Sequence, residues 1–269
     1  MKTAPPLFFF DPPTLQSMAD SLHGAYAAAT PFPHVAIDNF LPNELANSLL
    51  DEFPGPQDIQ WAEYNHTHSK KLATNDETKM GDITRHVIGQ LNSSHFLLFL
   101  EKLSGIDGLV PDVHLWGGGL HQITRGGYLN IHVDFNWYEK IKLNRRLNLL
   151  LYLNKEWREE YGGHVELWGK DMSRCEKKIL PIFNRCVIFS TSDFSYHGHP
   201  VPLACPEGWS RKSLALYYYT RERHPEDALT PHSTLYKDLP GAKSQGGLSG
   251  MKKALKKWIP PALIDSWRK

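Results

Sequence analysis

Between about residue 109 and Thr220 the chain breaks into short strand-like runs punctuated by Gly and Pro. The runs are 113–123, 128–135, 146–153, 164–168, 178–183, 186–190, 200–203 and 212–220. Eight short β-type segments with turn signals between them leave few solutions: the sheet closes on itself as a barrel or jelly roll. The sequence upstream has a different period. Leu15, Met18, Leu22 and Tyr26 recur at helical spacing, as do Leu41, Leu45, Leu49 and Phe53, then Ile83, Val87 and Leu91, then Phe96, Leu97, Leu100 and Leu103. Asp11 before Pro12-Pro13 and Ser93-Ser94 read as helix starts, and Gly105 as a helix stop. His34–Phe40 alternates as a short strand. The expected fold is α+β and mainly β: an N-terminal layer over 1–108, a jelly-roll core over 109–220, and a polar linker with a basic helical tail over 221–269.

Two stretches lack a clear period. Residues 56–82 are polar and read as a long loop, of the kind that often covers a site. Its His66 and His68 have no carboxylate at matching spacing, so they read as loop residues rather than metal ligands. The tail 251–269 carries six basic residues and one acid, Asp265. Such an end packs on its domain or makes peripheral contact with a membrane surface or partner. No apolar run is long enough for a membrane span. The formal charge is +1 and no aromatic-basic stripe marks a nucleic-acid groove. Three cysteines, Cys175, Cys186 and Cys205, form no C-x-x-C pair, and no signal peptide precedes them, which places the chain in the cytoplasm as an expectation.

Chemistry concentrates where Gly126-Gly127 leads into Tyr128–Phe135. On a strand, residues two apart share a face, so His132 and Asp134 present an imidazole beside a carboxylate. That is two thirds of the two-histidine, one-carboxylate set that holds non-haem Fe(II) with positions left open. Downstream, Ser195-Tyr196-His197-Gly198-His199-Pro200-Val201 follows an apolar strand. His197 is the expected third ligand and His199, of the same strand parity, its runner-up. His164, after Gly162-Gly163, reads as pocket wall or structural. No fourth ligand stands at fixed spacing, which argues against a closed structural zinc site.

An anchor for an anionic co-substrate follows. Arg211 opens an apolar strand, and Arg211, Ser213, Ala215 and Tyr217 share one face. A guanidinium on an inward face must meet a carboxylate, because a buried unpaired charge is too costly. With Ser213 it suits the distal carboxylate of a 2-oxo diacid. In the run Arg145–Asn154, alternation groups Arg146, Asn148, Leu150 and Tyr152. Tyr152 and Asn148 are assigned to the co-substrate. Arg146, with Asn136 and Trp137 just past the ligand pair, is assigned to the substrate wall.

Taken together, His132-Val133-Asp134, the strand end Tyr152-Leu153-Asn154, Gly162-Gly163, His197 before Pro200-Val201, and Arg211-x-Ser213 resemble the Fe(II)- and 2-oxoglutarate-dependent oxygenases, in their prolyl 4-hydroxylase-like branch. The resemblance covers about residues 110–220, with a weaker echo in 32–53. It implies a double-stranded β-helix whose major sheet carries the N-terminal helices. It also implies Fe(II), 2-oxoglutarate and O2 as the working set, with ascorbate as a candidate addition. It further places Gln122, ten residues before His132, where such hydroxylases often carry a co-substrate-contacting tyrosine. The expected activity is hydroxylation of an unactivated C–H bond in a peptidyl proline, an amino acid or a small metabolite, with succinate and CO2 as co-products. The competing readings are a catalytically idle 2-oxoglutarate or metal-binding sensor of the same fold, and a cupin-like metal enzyme without 2-oxoglutarate.

Overall fold

The computed structural model describes residues 8–222 and 230–240. In chain order the elements are α1 (Pro12–Ala28), β1 (His34–Ile37), α2 (Asn43–Asp51), β2 (Ala62–His66), β3 (Ser69–Thr74), α3 (Asp82–Leu91), α4 (Ser94–Ser104) and β4 (Val110–Pro111). Then come β5 (Gly119–Thr124), β6 (Tyr128–Val133), β7 (Trp137–Tyr138), β8 (Leu143–Tyr152), β9 (Val165–Trp168) and β10 (Cys175–Ile179). The last four are β11 (Arg185–Ser190), β12 (His197–His199), β13 (Ser210–Thr220) and β14 (Leu235–Tyr236). All of them belong to one compact unit that ends at Lys237.

Local chemistry sets the helix ends. Asp11 accepts from the Thr14 amide at 3.0 Å, with prolines opening α1. The Ser93 hydroxyl caps α4 through the Phe96 amide, and Gly105 ends that helix in the left-handed region at φ 71°.

Pairing among the eight core strands is nested. β5 pairs β13, β6 pairs β12, β8 pairs β11 and β9 pairs β10, all antiparallel. First with eighth, second with seventh and so on inward is the wiring of a jelly roll. One sheet runs β1-β11-β8-β13-β5, the other β6-β12-β9-β10, and β3 joins them by pairing both β5 and β6. The barrel is thereby almost closed, which removes most free edges.

Period-two alternation divides the first sheet into a helix-facing side and an inner side. Leu147, Leu149 and Leu151 of β8, Cys186 and Ile188 of β11, and Leu214, Leu216 and Tyr218 of β13 join Leu15, Leu49, Val87, Phe96 and Phe99 of the helices in the main core. The alternate residues, Asn148, Leu150, Tyr152, Val187, Phe189, Ser213 and Tyr217, face the barrel interior. A continuous apolar seam on one side thus frees the other side for polar groups.

Four expectations change. The seventh strand is His197–His199, not 200–203, because Pro200 and Pro202 lack the amide a ladder needs. The fifth is Cys175–Ile179 rather than 178–183, where Pro181 interrupts. The expected loop over 56–82 contains the β2–β3 hairpin, turning at Thr67-His68. It was hidden because β2 is exposed along its whole length and β3 carries lysines, so neither shows alternation. Similarly, β14 lies inside the expected linker; the tail 251–269 lies outside the described residues.

Candidate active site

His132 on β6 stands directly opposite His197 on β12, and Asp134 follows one residue after β6 ends. His132 Nε2 lies 3.6 Å from Asp134 Oδ1, and His197 Nε2 lies 3.3 Å from Asp134 Oδ2. Ligand atoms of all three sit within 4.8 Å of one another, the one such group among the described residues. His66 and His68 serve elsewhere: His66 reaches Ser69 Oγ, and His68 stacks on Tyr236 at 4.4 Å.

The protonation pattern suits a metal. His132 Nδ1 is 2.9 Å from the Asn130 carbonyl and His197 Nδ1 is 2.8 Å from the Ser195 carbonyl. A carbonyl only accepts, so each Nδ1 carries a proton, and Nε2 is the ring atom that each histidine turns toward Asp134. Burial and the neighbouring His197 hold His132 below its ordinary pKa. Burial alone would raise Asp134, but Arg145 and the two imidazoles outweigh it and keep the carboxyl well below its usual range. Two imidazole Nε2 atoms and one carboxylate on one side, with cavity on the other, fit Fe(II) and leave coordination positions for other ligands.

Asp134 is itself held. Arg145 Nη2 donates to Oδ2 at 3.0 Å and Asn148 Nδ2 donates to the same oxygen at 2.7 Å. Arg145 Nε also donates to Asn148 Oδ1 at 2.9 Å. The guanidinium, 1% exposed, lies 3.4 Å from the Tyr217 ring centroid and 4.6 Å from that of Phe135. Asn148, assigned to the co-substrate by parity, is thus bound first to the metal carboxylate. Arg146 is not on this wall at all. The β8–β13 register slips between Tyr218 and Tyr219, and the bulge swaps parity so that Arg145 takes the inward place. Arg146 instead donates to Thr220 Oγ1 at 3.2 Å.

The triad opens into a cavity of about 410 Å³, with Arg211, Ser213, Ile123, Val165 and His199 among its lining. Arg211 is buried; its Nε donates to the Gly163 carbonyl at 2.7 Å and its Nη2 to the Tyr152 hydroxyl at 3.0 Å. Gly163 has φ 74°, and a Cβ there would sit 2.9 Å from Arg211 Cδ, so only glycine lets the arginine lie in this groove. Tyr152, as acceptor from Arg211, keeps its own proton for another partner.

Other expected site residues lie elsewhere. Gln122 faces the helix side with Leu120: its amide donates to the Pro54 carbonyl and its oxygen accepts from Ser210 Oγ, both at 2.8 Å. His121 and Ile123 take the inward positions on β5. Counting back ten residues crosses the β5–β6 turn, whose length sets the parity and is not visible in a count. Asn136 accepts from the His232 amide at 2.9 Å and donates to the Thr230 carbonyl at 3.1 Å. It therefore pins the returning segment rather than facing the cavity. Trp137 lines an outer groove with Trp116, Tyr138 and His232. His164 meets Glu159 at 2.6 Å.

Sequence reading missed Lys71, Tyr64, His121 and Tyr236 and assigned no site role to Arg145 or Tyr217, yet all six line the cavity. Of these, Tyr217 carried a signal by sharing the Arg211 face, and Arg145 as one of an arginine pair at the strand start. Lys71 comes from the concealed hairpin. Burial pulls its ammonium down to about 8, against the opposing pull of Asp134.

Residues 118–219 match the family model described as the 2OG-Fe(II) oxygenase superfamily. Over 234 residues the chain is 25% identical to the prolyl 3-hydroxylase OGFOD1 of Mus musculus, covering 78% of this chain and 39% of that protein. The chain therefore spans about two fifths of the length of that curated relative. Among solved structures, a Pseudomonas putida prolyl-4-hydroxylase superposes with a TM-score of 0.54 at 16% identity, over 77% of this chain and 100% of its own. A Phytophthora capsici prolyl 4-hydroxylase gives 0.52 at 20% identity, over 83% and 70%. A Trichoplax adhaerens prolyl hydroxylase, solved with a hypoxia inducible factor peptide fragment, gives 0.51 at 16% identity, over 77% and 91%. An almost closed jelly roll carrying a histidine–aspartate–histidine set, matched over residues 118–219 by one family model, makes this chain similar to the 2OG-Fe(II) oxygenase superfamily and, within it, to prolyl hydroxylases.

Proposed function

We propose that the chain is an Fe(II)- and 2-oxoglutarate-dependent dioxygenase that hydroxylates an unactivated C–H bond, with succinate and CO2 as co-products. The observation that carries this reading is the cavity linking His132, Asp134 and His197 to Arg211. The bound iron, 2-oxoglutarate and O2 supply the oxidising chemistry. His132, Asp134 and His197 would hold the iron through two Nε2 atoms and one carboxylate oxygen. Arg145 and Asn148 fix the Asp134 carboxylate, so its orientation does not depend on the metal. Arg211, Ser213 and Tyr152 would bind the distal carboxylate of 2-oxoglutarate through a guanidinium and two hydroxyls. Tyr64, Trp116 and Tyr236 line the same cavity and would limit water there. The proposed substrate is a peptidyl proline, by likeness to the prolyl hydroxylases, or an amino acid or small metabolite. The proposed location is the cytoplasm, on three unpaired thiols.

The test is purified protein with Fe(II), O2 and 2-oxoglutarate. Slow substrate-free formation of succinate is expected, and its loss in His197→Ala. Neither succinate nor 2-oxoglutarate binding would end the reading, while binding without turnover in a substrate screen would favour an idle sensor.

A pH effect arises from Lys71. Below pH 8 its ammonium adds a positive charge to the cavity; above it the charge is lost. Affinity for dianionic 2-oxoglutarate should therefore fall as pH rises through about 8. Isothermal titration on both sides of that pH, with Lys71→Met flattening the fall, checks it.

A further inference from the structure

We propose that His199 is a second hydrogen-bond donor to the distal carboxylate of 2-oxoglutarate, beside Arg211. This rests on the dioxygenase reading above. His199 is 4% exposed, and neither ring nitrogen has a hydrogen-bond partner among the described residues. A buried imidazole normally satisfies at least one nitrogen, because leaving both unmade sacrifices hydration for nothing. The contrast lies on the same strand: His197 ties its Nδ1 to a backbone carbonyl, as does His132 across the ladder. His199 is the imidazole here with no such tie, yet it lines the cavity.

Its place in the strand says what would satisfy it. His197 and His199 lie two residues apart along β12, about 7 Å, so the second ring stands one step beyond the metal ligands. The register slips between them: His197 faces His132, whereas His199 faces Leu129. His199 is accordingly outside the ligand cluster and is not the third ligand. β12 runs beside β9, whose Val165 lines the same cavity, and the Gly163 carbonyl just before β9 holds Arg211. His199 and Arg211 thus share one end of the cavity, and the metal set lies at the other. A five-carbon dicarboxylate held by the metal at one end presents its far carboxylate to this end. An anion with several lone pairs there accepts from Arg211, Ser213 and one imidazole N–H together.

The partnerless ring makes the free protein less stable than it could be, and this gives a signature that a packing role lacks. The experiment uses full-length protein and three readouts. 2-Oxoglutarate is titrated anaerobically into the Fe(II)-loaded protein, following the charge-transfer absorption of the complex. Metal affinity is measured without 2-oxoglutarate, and thermal unfolding without either. His199→Val is expected to weaken 2-oxoglutarate binding about ten- to a hundred-fold. It should leave metal affinity unchanged and the melting temperature of the free protein equal or higher. His199→Gln, which keeps an N–H donor, should recover part of the binding and serves if the valine variant fails to fold. Unchanged 2-oxoglutarate affinity in both variants overturns the assignment, as does loss of metal affinity, which would make His199 a ligand. Absence of 2-oxoglutarate binding in the unsubstituted protein is a separate failure, that of the dioxygenase reading itself.

Discussion

Asp134→Ala should remove the metal site and destabilise the metal-free fold at the same time. The first effect follows from the loss of the one carboxylate among three ligands. The second follows from Arg145, which is 1% exposed and donates to Asp134 Oδ2. Deleting one member of a buried ion pair strands the other, at a cost of about 3–5 kcal/mol. The Tyr217 and Phe135 rings on either side soften this cost but provide no carboxylate. Denaturant unfolding of the metal-free variant measures the stability loss, and metal titration measures the site. Asp134→Asn separates the two, because it keeps the volume and an acceptor oxygen while removing the charge. The same pair sets an acid limit. Asp134 is held well below the ordinary carboxylate value, so its contribution is complete at neutral pH. That contribution is lost as pH falls below about 4 and through the native pKa. An Asp134→Asn protein should therefore show a flatter loss of stability in acid.

Gly198→Ala should damage metal binding without touching a ligand. A Cβ at this position would lie 2.8 Å from the carbonyl oxygens of both Asn130 and Leu129. Those atoms belong to β6, the strand that carries His132, and cannot turn aside as a side chain would. The methyl therefore pushes β12 off β6 at the rung where His197 faces His132. Orienting changes of this kind typically weaken a metal about 10–100-fold. Metal titration should show that loss, with near-native far-ultraviolet circular dichroism. Full affinity in Gly198→Ala would mean that the two strands separate without cost, against so close an approach of their backbones.

How much of this was legible beforehand depended on whether a feature was periodic. The helices and the six central core strands carry apolar periods of 3.6 or 2, and these gave the jelly roll and its helical cover. His132 and Asp134 were legible because both lie in one short run, where parity needs no turn to be counted. The shared inward face of Arg211 and Ser213 was legible for the same reason. The misplacements share a cause. Arg146 lies at a bulge and Gln122 lies across a turn, and each adds or removes one residue of phase that composition does not display. Lys71 and Tyr236 come from polar segments whose strands exist because β6 offers them a ladder, a tertiary cause with no local imprint. His199 reads from sequence only as an alternative ligand, since an unsatisfied ring becomes visible only in the folded chain.

The strand bearing His132 has neighbours that lie far outside the stretch recognised by the family model. β3 from upstream and β14 from downstream both hydrogen-bond to β6, and Lys237 donates its amide to the Ile131 carbonyl at 2.8 Å. β1 likewise caps the opposite margin through β11. Residues 118–219 excised alone would thus expose three raw sheet borders and the greasy flank that the helices cover. Such a fragment would clump or melt, and the smallest autonomous fold must reach from α1 through Lys237.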